Sequence, residues 1–346
     1  MMLPQPESAS FEGRAGAGPV LARPPLRRAL FAGTLLFALL VPLFAHNFLV
    51  FQLTMVLVYG LAILGLNLLT GFNGQFSLGH GAFYGIGAYT AAILMSKAQL
   101  PYYWTLPCAG GLCFVVGFLF GLPALRLSGL YLALATFALA AALPQILKFR
   151  LLEGWTGGTQ GIVVAKPEAP AGLPLDADRW LYYFTLAVFL LLAALAFNLA
   201  RSRSGRAMMA IRDHRIAASA MGINTALYKT STFGLSAFYT GVAGALGAIV
   251  IQFVAPDSFN FLLSVSLLVG LVIGGVGSIP GSLVGGLFVL FVPNLAESVS
   301  TGLSGAVYGA LLLIVIFLMP SGAAGFARVL LARILERRKK TIEEGR

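Results

Sequence analysis

The sequence predicts an all-α polytopic membrane protein, a bundle of about ten transmembrane helices with both termini in the cytoplasm. Three observations carry that prediction. Of 346 residues, 58% are hydrophobic and only 10% charged, whereas a soluble domain carries about 25% charged residues. Mean hydropathy reaches +0.89. The basic residues, finally, stand between long apolar runs and fall overwhelmingly on one side of them.

Crossing about 30 Å of hydrocarbon takes ~20 residues of helix. The first apolar segment, 29–45, follows Arg23, Arg27 and Arg28 and ends on Phe44-Ala45-His46. That ending is a poor small-residue cleavage site, so an uncleaved span behind a short disordered tail, 1–28, is expected. Further spans fall at 48–69, 76–96, 102–122, 129–147, 181–200, 228–254 and 261–278. Segment 281–299 is the weakest, because its strongly apolar part, 281–292, is short; it reads as a span or as a re-entrant piece. The last span, 303–319, precedes a basic tail, 320–346.

Charge orients these spans. With the amino terminus inside, 18 of the 23 Lys and Arg face the cytoplasm, and only Lys97, Lys148, Arg150, Lys166 and Arg179 lie outside. Cytoplasmic loops collect Lys and Arg, so both termini are placed inside and the number of spans is even. The transmembrane domain is thus 29–319. Within it, 148–180 is a Gly- and Pro-rich external loop, and 201–227 is a basic internal segment.

Several function classes drop out. The net charge of +11 is dispersed and lacks interleaved aromatics, which argues against nucleic acid. Cys108 and Cys113 share one apolar run and read as packed helix residues, and His46, His80 and His214 lie too far apart for a metal motif. No Asp or Glu falls in the core of a span, which disfavours ion-coupled transport, since coupling generally uses an intramembrane carboxylate or histidine. No Gly-Lys dipeptide occurs, so no phosphate cradle with its lysine is available. The chain is not expected to be an enzyme or to hold a cofactor, and any ATP that drives it is bound by another subunit.

The spans are dense in glycine. Gly81/Gly85, Gly117/Gly121, Gly270/Gly274, Gly281/Gly285 and Gly305/Gly309 have the spacing that lets helix backbones approach closely in lipid. Asn67, Asn73, Gln75, Ser77, His80 and Tyr84 lie from the end of the second span into the third. Polar groups cost free energy there unless paired or facing a cavity. They read as a gate or pathway lining, or as an interfacial helix cap. In the internal segment, Met208, Ile211, Arg212, Arg215 and Ile216 make a mixed basic and apolar helical surface, and Gly222 suits a left-handed cap. The segment reads as a rigid cytoplasmic peg that senses a motor, or as a helix lying among lipid headgroups.

This segment resembles the coupling loop of ATP-driven importer permeases. Ala217, Ala218 and Gly222 fit that pattern, with Arg206, Arg212 and Arg215 around them, while Ile216 replaces its acidic first residue. Residues 67–89, 156–161 (Thr-Gly-Gly-Thr-Gln-Gly) and 274–286 resemble the three signature stretches of branched-chain amino-acid permeases, of the LivM type. The resemblance implies a bacterial inner-membrane machine: this chain, a homologous second permease, two cytoplasmic ATP-binding subunits and a periplasmic substrate-binding protein. ATP would drive alternating access. Urea and short-amide permeases share the same glycine-rich stretches, so the substrate stays open between them and branched-chain amino acids.

Overall fold

A computed structural model describes residues 24–127, 129–170, 176–299, 303–319 and 322–326. Most of the expected tails, 1–28 and 320–346, lies outside the described residues. A helix stands at each of the ten expected positions: α1 (Pro24–Phe44), α2 (Asn47–Asn67), α3 (His80–Ser96), α4 (Tyr102–Ala124), α5 (Leu130–Leu147), then α7 (Ala177–Arg201), α10 (Thr225–Ile251), α11 (Phe261–Gly274), α12 (Gly281–Val299) and α13 (Ser304–Leu318). Three short helices complete the series: α6 (Glu153–Thr156) in the expected external loop, α8 (Arg203–Asp213) and α9 (Arg215–Ala220) in the basic segment. Val41–Gly325 forms one compact unit. Six of the described helical segments are long and apolar enough to cross a membrane.

Patterning explains which helices lie where. α2 and α10 present no polar face over their central stretches and are buried over most of their length, as expected of helices inside a bundle. Around α10 pack α2, α3 and α4; around α2 pack α7, α11 and α12. The outer helices turn large apolar side chains outward, among them Leu112, Val115 and Leu119 of α4 and Leu191 and Leu195 of α7. Lipid, not protein, is the natural partner of such faces.

Three expectations change in detail. Segment 281–299 is one continuous helix despite Pro293, and its length suits a full span. By contrast, α11 keeps only 14 residues, because the chain around 275–280 turns through Gly275 and Gly277, both at positive φ. Cys113 is buried as a packed helix residue should be, but Cys108 is exposed on the outer face of α4.

Within the Gly- and Pro-rich loop 148–180, the described residues are more ordered than that content suggests. Ile162 and Val163 (β1) pair antiparallel with Val254 and Phe253 (β2), so the otherwise helical unit carries one two-stranded ribbon at the end of α10. Gly157, Gly158 and Gly161 all adopt positive φ, and a Cβ at Gly161 would strike the Val254 carbonyl. Thr156 Oγ1 donates to the Leu147 carbonyl at 2.7 Å. The ion pairs Lys148–Asp257 and Lys166–Asp178, each 2.6 Å, pin the loop at both ends.

Candidate functional site

Asn67, Asn73, Gln75, Ser77, His80 and Tyr84 are all buried, and most are paired within the protein. Ser236 of α10 donates to the Gly65 carbonyl at 2.6 Å. A hydroxyl has one proton, so Ser236 Oγ must accept from His80 Nε2–H, 2.6 Å away. His80 Nδ1 is then the acceptor for Ser77 Oγ–H at 3.0 Å. This neutral chain ties α2, α3 and α10 together and uses every hydrogen-bonding atom of the imidazole. Beside it the Gly81 amide donates to Ser264 Oγ at 2.8 Å. Ser236 and Ser264 lie 156 and 183 residues from their partners, and no local pattern marks them.

Asn67 makes a second tie. Its Nδ2 donates to the Ser278 carbonyl at 2.9 Å, and its Oδ1 accepts from the Gly277 amide at 2.8 Å. One side chain thus clamps the turn between α11 and α12 against α2. At this point α2 widens into a single π-turn, Leu68–Phe72, a local expansion frequent at functional sites. Gly71 must lack a side chain, since a Cβ there would overlap Asn67 Oδ1. Gln75 Nε2 then donates to the Lys229 carbonyl at 3.1 Å. Asn73 differs from its neighbours: it is 2% exposed, yet neither amide atom bonds to protein. Tyr84 stands apart from these polar groups, between the rings of Tyr59 and Phe259.

The single helix expected over the basic segment is broken at His214 into α8 and α9. Ser202 caps α8 by accepting from the Gly205 amide, and Arg206 bonds back to the Arg201 carbonyl at 3.0 Å. Ala217 is exposed and Ala218 buried. Arg215 lines a shallow cavity with Ile216, Ser219, Ala220 and Thr225. Ile216 and Met221, at 77% and 83% exposure, stand outward.

Gly222, at φ +82°, ends α9. Its amide bonds to the Ser219 carbonyl and that of Ile223 to the Ala218 carbonyl, the pairing that closes a helix on a left-handed residue. A Cβ at Gly222 meets nothing within 4 Å, so only the backbone conformation demands glycine. Gly222→Val should cost about 1–2 kcal/mol at the cap. Trypsin cleavage after Arg215 in inside-out vesicles is then expected to rise about tenfold, with the chain still in the membrane. An unchanged rate would show that α9 does not depend on this cap.

Among the glycine pairs, two meet each other. A Cβ at Gly274 would strike the Gly281 carbonyl, and one at Gly285 the Gly270 carbonyl, so α11 and α12 touch backbone to backbone. Gly81 and Gly85 abut Ser264 and Phe259, and Gly117 abuts Ala237. Gly305 and Gly309 face nothing within 4 Å. The tightest contacts elsewhere involve Gly87 against Gly241, and Gly244 and Gly247 against Tyr84. Their i, i+3 steps escape a search for four-residue spacing.

Among the described residues, no three His, Cys, Asp or Glu gather as a metal site. Comparison with known proteins adds the following. Residues 48–316 match the family described as branched-chain amino acid transport system / permease component. The chain is 35% identical to the high-affinity branched-chain amino acid transport system permease protein LivM of Escherichia coli K12, over 65% of this chain and 58% of that protein. It therefore spans less than two thirds of that relative. It is 27% identical to LivH of Salmonella typhimurium, over 77% of this chain and 91% of that protein. For BraD of Pseudomonas aeruginosa the identity is 24%, over 77% and 91%. No solved structure matches.

Proposed function

Because the chain belongs to the family of branched-chain amino acid transport permease components, we propose that it is one membrane-spanning half of an ATP-driven importer for leucine, isoleucine, valine or similar small apolar amino acids. The observation that carries this reading is the family match over 48–316, which takes in nine of the ten apolar helices in whole or large part. The chain is a multi-pass membrane protein. Its partners would be a second, homologous permease, two cytoplasmic ATP-binding subunits and a periplasmic substrate-binding protein, in a bacterial inner membrane.

Ten spans and cytoplasmic termini are the arrangement favoured by the distribution of the 23 basic residues. The exposed edge of α9, with Ile216, Met221 and the cavity beside Arg215, is then the surface offered to the ATPases. ATP binding there would switch the bundle between outward- and inward-facing states, two arrangements biased from opposite faces of the membrane. A zwitterion suits spans without fixed carboxylates: it would bind weakly enough to leave again, with specificity supplied mainly by the binding protein.

Urea or a short amide is the second reading, because permeases for them share the glycine-rich stretches seen at 156–161 and 274–286. Uptake of labelled leucine and labelled urea by the reconstituted complex, with its cognate binding protein, separates the two. ATP-dependent leucine uptake is the expected result. Urea uptake without leucine uptake would overturn the amino-acid assignment and keep the importer.

A further inference from the structure

Sequence alone places Arg212 among the residues that meet the ATPases; its side chain stays 38% exposed, but its guanidinium also reaches back to the end of α2. Nη1 donates to the Gly71 carbonyl at 2.7 Å, while Nε bonds to Asp213 at 2.9 Å. Its stem lies so close to Gly74 (φ +71°) that a Cβ there would come within 2.8 Å of Cγ. Gly71 belongs to the π-turn of α2, whose other side carries the Asn67 clamp on Gly277 and Ser278. One unbroken series of contacts therefore runs from α8 through Arg212, Gly71 and Asn67 to the turn between α11 and α12. These elements belong to three stretches far apart in sequence.

The junction also holds a buried amide, Asn73, without a protein partner. Leaving such a group unpaired is costly. A second arrangement of the junction that pairs Asn73 would recover that free energy, which is the property expected of an element with two states.

We propose that Arg212 is a positioning residue that carries movement of the cytoplasmic helices α8 and α9 into the membrane by drawing on the π-turn of α2. The inference rests on the importer reading above and adds the internal route of coupling. A shift of α8 displaces the Gly71 carbonyl, the π-turn rearranges, and the Asn67 clamp takes the 275–280 turn with it.

The test is amide hydrogen exchange on the complete importer in nanodiscs, with and without ATP and vanadate, together with leucine moved per ATP. In the wild type, nucleotide is expected to alter exchange at both 215–224 and 67–80. In Arg212→Gln the response at 215–224 should persist, while that at 67–80 and the leucine moved per ATP fall about tenfold, the scale of one charge-assisted hydrogen bond. Arg212→Lys, which keeps charge and a donor, should recover part of both. The proposal is overturned by wild-type exchange at 67–80 that ignores nucleotide, or by an Arg212→Gln complex that responds and transports as the wild type does. If Arg212→Gln does not reach the membrane, the wild-type and lysine measurements decide. A wild-type complex with no ATP-driven uptake would instead sink the importer reading itself.

Discussion

Replacing Gly244 with alanine is expected to lower the thermal midpoint clearly and the chain's abundance in the membrane several-fold, whereas Gly305→Ala should leave both unchanged. At Gly244 an added Cβ would land on the Tyr84 carbonyl, and at Gly87 on that of Gly241. Both contacts join α3 to α10, and the obstacle is backbone, which cannot rotate aside. The helices must part, and overpacking of this kind costs about 3 kcal/mol, a large share of a typical folding free energy of ~5–15 kcal/mol. Gly305 and Gly309 repeat with the spacing of a helix-packing motif yet face open space. Thermal unfolding in detergent and abundance in membranes would measure the contrast. Equal behaviour of Gly244→Ala and Gly305→Ala would mean that α3 and α10 do not touch as described.

The second large effect concerns Asn67. Asn67→Leu is close in shape, but it removes both clamp hydrogen bonds and orphans the Gly277 amide and the Ser278 carbonyl. The Ser278 carbonyl is buried and the Gly277 amide part-buried. A buried orphan costs about 1–3 kcal/mol, so the variant should lose roughly 3 kcal/mol and unfold well below the wild type. Asn73→Leu is the control. Its amide is equally buried but bonds to nothing in the protein, and its midpoint should stay within a few degrees of the wild type or rise. A Tm for Asn67→Leu no lower than that of Asn73→Leu would remove the clamp from the account.

Much of this fold is legible in the sequence because helix position follows hydropathy. Each of the ten expected apolar segments carries a helix, since a chain in lipid must satisfy its backbone within each span. The positive φ at Gly222 is legible too, from a glycine placed after a short run of small residues. What escapes is pairing across distance. Nothing near His80 names Ser236, and nothing near Asn67 names Gly277. The two short strands escape because two residues carry no periodicity, and they form only where Gly161 lets the loop reach the end of α10. The break at His214 falls inside an otherwise regular helical pattern. Arg212 shows the same limit: its charge is plain in the sequence, but the direction it points depends on Gly71 and Gly74 lying beneath it.

The proposed function makes this chain a permease powered by other subunits. Its most direct test is labelled leucine uptake into proteoliposomes holding this chain alone, then with the second permease, the two ATPases and the binding protein. The expected result is no uptake by the chain alone under any proton or sodium gradient, and ATP-dependent uptake by the complete set. Gradient-driven uptake by the chain alone would contradict the account.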